Sequence, residues 1–359
     1  MDHYYALIMA GGVGTRLWPL SRQSRPKQVL PLVDERSMFK VAVDRLQPLF
    51  DPENVFVVAG SDHIDLLRNE QCGIPVRNFI IEPMGRGTAP AIGLSAIHLQ
   101  QRDPQAVMAV LTADHFIGDE AGFRKVLEAA YQVAQADQLV TLGITPNSPS
   151  TGYGYIERGQ KLIEVGGLTA YQVTAFREKP DLETARRFSA DDQHSWNSGM
   201  FVWKVDRLLQ ELARSMPEFY AQLLKIDQAW DTDRYEAVLT DLWPHVKSQT
   251  IDYGVLEQAT DVAVIPAEFG WNDVGSWATL LEILPSDANG NVVLHADSLG
   301  IDTTNTLVYG RDRLVATIGL HDFIVVDAGD ALLICPKDRA QDVKKIVDQL
   351  KKEKKEQYL

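Results

Sequence analysis

The 359-residue chain has only two cysteines, Cys72 and Cys335. They stand far apart without metal-ligand spacing, which argues against a disulfide framework and a cysteine-based structural zinc site. No apolar run approaches the roughly 20 residues that cross a bilayer, and the opening MDHYYALIMAGG has neither a basic leader nor a cleavage site. The expectation is a protein of the cytoplasm that does not enter membranes. Positive charge is scarce as well. With 35 Lys and Arg against 49 Asp and Glu, the formal charge is −14, and the only dense basic run is KKEKKE near the C-terminus. Such a surface repels a nucleic-acid backbone, so nucleic acid is not an expected partner. The chain also lacks internal repeats and low-complexity linkers.

What it does have is enough apolar content, 45%, to bury a large core. Strand-like runs at 4–10, 54–59, 78–82, 106–111 and 138–144 alternate with helical patterns at 38–49, 89–101 and 123–136. This alternation predicts an α/β fold with a Rossmann-like, mostly parallel sheet and flanking helices, binding ligands at the carboxyl ends of its strands. From 151 to 270 short strands around Ile156, Val173, Phe201 and Val264 are interrupted by one helical stretch, 205–225. Beyond Pro285 five short strand candidates (291–295, 306–309, 314–318, 323–326, 331–334) with Gly, Asp and Asn between them predict a small β-rich domain. A helix at 337–352 follows, its apolar face marked by Val343, Ile346, Val347 and Leu350. The expected division is 1–285, with halves near 1–150 and 151–285, and then 286–359.

The densest chemistry lies in LIMAGGVGTRLWPLSRQSRPKQVL at 7–30. Ala10, Gly11, Gly12, Gly14 and Thr15 form a loop whose glycines admit positive φ and close approach, so that successive N–H groups can converge on one anion. Arg16 and Lys27 add cationic charge. A Walker A loop would need Lys and Ser/Thr directly after the last glycine, and a dinucleotide fingerprint would need Gly where Leu17 stands. A polyphosphate loop of another kind remains. No Ser-His-Asp or Cys-His arrangement is indicated.

Together with IEPMGRGTAPAI, LTADHFI, TGYGYIE, FREKPD, WNSGMFVW, DYGVLEQA and WNDVGSW, in this order, the loop resembles the sugar-nucleotide pyrophosphorylase family over residues 5–280. The likeness is strongest to its guanylyl-transferring members. The resemblance implies a nucleotidyltransferase (GT-A-like) fold that joins GTP and mannose 1-phosphate into GDP-mannose and pyrophosphate with Mg²⁺. It implies catalytic roles for Arg16, Lys27, Asp114, Lys179 and Asp273, with Asp114 and Asp273 as metal ligands. Mg²⁺ characteristically takes one or two carboxylates plus phosphate oxygens. Tyr153, Gly154, Glu178, Lys179, Asn197 and Asp273 would hold the sugar phosphate. Thr88 and Ala89 open a helix whose N–H groups could face the nucleotide. Glu82 could accept the adjacent N1–H and amine of guanine with one carboxylate.

Three residues depart from the family pattern: Gly87 where Asn is usual, Thr112 where Pro precedes Ala-Asp-His, and Gly254 where Ala is usual. Gly87 bears on a base or ribose contact; the others read as structural. Alternatives are a sibling enzyme for another base or sugar and a silent nucleotide-sugar-sensing subunit, which the joint presence of Arg16, Lys27, Asp114, Lys179 and Asp273 opposes. Larger relatives append a cupin-type isomerase domain, and no phosphomannose isomerase activity is expected here. The small β-rich segment would gain stability from a partner, so a homodimer through residues after about 285 is expected.

Overall fold

The computed structural model describes residues 1–311 and 313–359. Their contacts separate two compact units.

The first unit comprises Met1–Gly11, Ala42–Ala113 and Ile117–Trp271. Its sheet runs, edge to edge, through Phe79–Glu82, Val55–Gly60, Tyr4–Met9, Val107–Thr112, His194–Lys204, Leu139–Ile144, Val262–Ala267, Leu168–Arg177 and Tyr155–Val165. The first four strands are mutually parallel. His194–Lys204 inserts antiparallel between Val107–Thr112 and Leu139–Ile144, which turns a parallel sheet into a mixed one. Strands covered on both faces read as continuous apolar runs: Ala6, Leu7 and Ile8 are fully buried. Leu7, Ile92, Ile97, Trp203, Leu208 and Trp243 belong to one core in which the helices Thr88–Arg102 and Val205–Ser215 pack. Asp119 caps the helix Glu120–Ala134 by accepting from the Gly122 N–H at 2.9 Å. The helical stretch expected at 205–225 is two helices, Val205–Ser215 and Pro217–Gln228. Pro217 cannot supply an interior N–H and starts the second one. The helix expected at 38–49 ends at Asp44.

The second unit comprises Gly12–Val41, Asp114–Phe116 and Asn272–Leu359. Here the short strands coil. Val292–Leu294 lies parallel to Leu307–Tyr309, and that strand lies parallel to Phe323–Asp327. Asp297–Ile301, which the sequence reading missed, lies parallel to Leu314–Ile318. Strands that pair with the next but one in sequence make a β-helix-like coil, closed antiparallel by Leu332–Pro336. Leu17, Trp18, Leu20, Leu30 and Leu32 share a core with Trp277, Tyr309, Ile324 and Val343, so the early segment folds with the C-terminal strands. In the final helix Val343 and Val347 are buried, but Ile346, expected on the same face, is 43% exposed.

Candidate active site

The glycine loop belongs to the second unit from Gly12 onward. Gly12 and Gly14 have φ of +85° and +77°, and a Cβ on Gly14 would lie 2.6 Å from Lys27 Cβ, so that glycine is required twice over. The loop is held by Ser21 Oγ donating to Gly14 O at 2.6 Å, the Lys27 N–H donating to Val13 O at 3.1 Å and Gln28 Nε2 donating to Gly12 O at 3.2 Å. Thr15 begins the short turn Thr15–Leu17. Ala10 and Gly11 follow the strand Tyr4–Met9 of the first unit, with the Ala10 N–H bonded to Val58 O.

Lys27 is 6% exposed. Its ammonium donates to Asp114 Oδ2 at 2.9 Å and to the Asp273 carbonyl at 2.6 Å. Residues far apart in sequence thus meet on one cation. Burial alone would raise the Asp114 carboxyl, but Lys27 and His115 outweigh it and hold the group below the usual carboxylate range. Asp273 Oδ1 accepts from the Gly275 N–H at 3.1 Å. Arg16 is exposed and, among the described residues, has no ionic partner. Among the described residues no three His, Cys, Asp or Glu side chains gather as a ligand set. Lys27 grips the Asp114 carboxylate and the Asp273 main-chain carbonyl, and the two aspartates offer hard carboxylate oxygens of the kind a divalent cation takes together with phosphate and water.

A second constellation lies wholly in the first unit. A Cβ on Gly154 would collide with Glu178 Oε2, so the missing side chain gives that carboxylate its place. Gly154 O accepts from the Asn197 N–H at 2.8 Å. The Asn197 amide is fixed at both ends: Oδ1 accepts from the Gly199 N–H (3.1 Å) and Thr141 Oγ (3.3 Å), and Nδ2 donates to Asp252 Oδ1 (2.8 Å). Lys179, itself at φ +44°, pairs with Glu178 Oε1 at 2.5 Å and stays 62% exposed. Tyr153 packs its ring 4.9 Å from Trp196 and 5.3 Å from Trp271. Sequence reasoning missed Asp252. It opens the DYGVLEQA segment and begins a single π-helical turn, Asp252–Leu256, a local irregularity frequent at functional sites. Burial, with the Glu178 charge, pushes its carboxyl up to about 6.

Glu82 ends the strand Phe79–Glu82 and is 7% exposed. Burial raises its carboxyl, partly offset by the Arg86 N–H that Oε1 accepts at 2.8 Å. One oxygen therefore closes the protein's own 82–86 loop. The helix start at Thr88 and Ala89 is also engaged: the Ala89 N–H donates to Gln249 O at 3.1 Å, and Thr88 Oγ accepts from the Ile251 N–H at 2.8 Å. Gly87 has φ +88°, and a Cβ there would run into Gln249 O; this contact accounts for glycine where Asn is usual. Gly254 is equally crowded, its Cβ position lying 2.7 Å from Met216 Sδ.

Residues 5–290 match the family described as nucleotidyl transferase, and residues 296–350 match a mannose-phosphate isomerase/GMP-like β-helix domain. The chain is 40% identical over 352 residues to a mannose-1-phosphate guanylyltransferase of Escherichia coli K12, covering 97% of this chain and 73% of that protein. It is likewise 40% identical over 357 residues to the xanthan biosynthesis protein XanB of Xanthomonas campestris, covering 98% and 74%. Among solved structures, one described as mannose-1-phosphate geranyltransferase from Thermus thermophilus superposes with a TM-score of 0.88 at 33% identity, covering 97% of this chain and 99% of that one.

Proposed function

Because the chain belongs to the nucleotidyl transferase family, we propose that it transfers GMP from GTP to mannose 1-phosphate, yielding GDP-mannose and pyrophosphate. The observation that carries the reading is the Lys27 ammonium bonded to both Asp114 and Asp273 directly beside the glycine loop. A sugar 1-phosphate oxygen is already ionised, so it can attack the α-phosphorus without a general base. The burden on the protein is positioning and charge neutralisation.

The loop from Ala10 to Thr15 presents N–H groups to the triphosphate, and the unpaired Arg16 receives the leaving pyrophosphate. Lys27 neutralises the α-phosphate. Glu178 and Asn197, beside Gly154 and Tyr153, accept and orient the sugar hydroxyls, while the exposed Lys179 meets the incoming phosphate. Glu82 reads guanine through the oxygen not spent on Arg86, and Thr88 and Ala89, in the same unit, contribute to nucleotide binding. Family members use a divalent metal; we assign it as Mg²⁺ held by Asp114 and Asp273, where it would neutralise phosphate charge.

A sequence boundary near 285 is supported by the transferase match ending at residue 290 and the β-helix match beginning at 296, while the compact units divide differently, the second taking Gly12–Val41, Asp114–Phe116 and Asn272–Leu359. We place the enzyme in the cytoplasm, where its nucleotide substrate is made. Assembly as a homodimer through this region is supported by one face of the parallel pair Asp297–Ile301 and Leu314–Ile318. There Leu299, Ile301, Leu314 and Ile318 are each 54–74% exposed, and an apolar strip of this kind gains by being covered. Screening nucleoside triphosphates against sugar 1-phosphates by pyrophosphate release tests the reaction. Release with another pair and none with GTP and mannose 1-phosphate would overturn it. Sizing of the wild type beside Ile318→Asp tests the dimer, which a monomeric wild type would rule out.

A further inference from the structure

A loop with two left-handed glycines is costly to order, since glycine loses more backbone freedom on folding than any other residue. Holding a triphosphate requires it to be ordered beforehand. The residues just after Arg16 show where that order comes from. Trp18 is fastened at both ends: its carbonyl accepts from the Trp277 indole N–H at 3.0 Å, and its own indole N–H donates to the Tyr358 carbonyl at 2.8 Å. Arg22 donates to both oxygens of Asp330, at 2.9 and 3.1 Å, and to the Gln357 carbonyl at 3.2 Å. Beneath these bonds Leu17, Trp18 and Leu20 share a core with Val343 and Val347. A cavity of about 40 Å³ is lined by Val13 and Thr15 of the loop together with Val347 and Leu359. All of these residues lie in the second unit.

Two features make this more than general packing. The backbone carbonyls of Gln357 and Tyr358 lie in the last short turn of the chain, Glu356–Tyr358, and both are taken by side chains of the loop segment. Arg22, moreover, spends its whole guanidinium here: Nε donates to Pro19 O at 2.8 Å while both terminal nitrogens reach the C-terminal region. A forked cation committed in this way is a rigid tie.

We propose that the segment from Val343 to Tyr358 positions the nucleotide loop, acting through Trp18 and Arg22, so that occupancy of this C-terminal dock sets affinity for the triphosphate. Trp18 and Arg22 are positioning residues. The inference rests on the transferase reading for the identity of the triphosphate but not for the mechanical coupling. Loosening the dock should weaken GTP and leave the sugar phosphate largely untouched, because Glu178, Lys179 and Asn197 belong to the other unit.

The test uses the full chain, Trp18→Phe, Arg22→Gln and a variant lacking residues 356–359. Hydrogen exchange of the Leu17, Trp18 and Leu20 amides, which bond to Gly14, Thr15 and Leu17 carbonyls, needs no turnover. It should quicken by at least about tenfold in each variant, equal to about 1.4 kcal/mol of lost protection. KM for GTP should rise about tenfold while KM for mannose 1-phosphate changes less than about twofold. Trp18→Phe on the shortened background should add little, since the shortened chain already lacks the Tyr358 carbonyl to which the Trp18 indole donates. Unchanged exchange, or equal rises in both KM values, overturns the proposal. Faster exchange in the variants of a protein whose wild type does not turn over GTP would overturn the transferase reading and leave the coupling standing.

Discussion

Replacing Lys27 with Met removes the ammonium and keeps most of the buried aliphatic stem. The lysine side chain is 7% exposed and its partner Asp114 26%. Breaking a fully buried pair costs about 3–5 kcal/mol because a charge is left uncompensated. Since a quarter of the Asp114 side chain is open to water, about 2–3 kcal/mol is the expected loss. Part of it should return when the abandoned carboxylate is neutralised: on the Lys27→Met background, Asp114→Asn should recover about 1 kcal/mol or more, a coupling resolvable in a double-mutant cycle. The pH dependence follows from the direction of the Asp114 shift. A carboxyl held below its usual range in the folded state contributes stability above its unfolded value and loses it as pH falls through the folded one. The wild type should therefore keep its advantage over Lys27→Met at pH 7, begin to lose it above the ordinary carboxylate value near 3.9, where the unpaired and burial-raised Asp114 of the variant takes up a proton, and lose the rest as pH falls through the folded wild-type value. Activity should fall by about 10²–10³, the scale for removing one preorganised charge from a transition state, and the double variant should not regain it. Urea unfolding at pH 7 and at acid pH, with pyrophosphate release as the rate assay, measures both. A Lys27→Met protein within about 0.5 kcal/mol of wild type, with no coupling to Asp114, would refute the reasoning, as would a rate loss smaller than tenfold.

Glu82→Gln should lower the ratio of GTP to ATP use in kcat/KM by about tenfold or more, since one acceptor becomes a donor facing a guanine N–H; an unchanged ratio removes Glu82 as base reader. Asp252→Asn should raise stability by about 1–3 kcal/mol at pH 8, because the native carboxyl is held near 6 and its ionised form is disfavoured. That gain should vanish as pH falls through 6 towards 4, while sugar-phosphate KM rises, and paired urea titrations and rate measurements would show both. Gly87→Asn, the usual family residue, should cost about 1–3 kcal/mol here because of the strained φ and the collision with Gln249 O; an unchanged melting temperature would contradict the packing account.

The alternating texture of the first 150 residues was readable because a strand buried on both faces must be apolar throughout. The runs containing Ala6–Ile8 and Val107–Leu111 could be little else. Sheet order was not readable. Nothing local in HSWNSGMFVWK says that this strand inserts antiparallel between two others; the placement is set by tertiary pairing. The coil after residue 290 was hidden for a related reason. Short strands with turn residues between them are compatible with hairpins and with parallel turns alike. Only the pairing of Val292 with Leu307 and of Leu307 with Ile324 decides.

The candidate site was legible where chemistry demands a residue type, and opaque where geometry does. Glycines before Arg16 and a lysine after a proline announce an anion loop, whereas no pattern connects that loop to Trp277, Asp330 or Tyr358. Asp252 shows the other side of this limit. Its carboxylate matters because Asn197 reaches it and Glu178 charges its surroundings, relations among segments more than 50 positions apart in the chain. The apparent anomaly at Gly87 dissolves in the same way, since the residue answers to the Gln249 carbonyl and to its own positive φ. In this chain the charged groups that would touch substrate were visible as motifs. The backbone carbonyls that hold those motifs in place carry no sequence signature, because every residue has one.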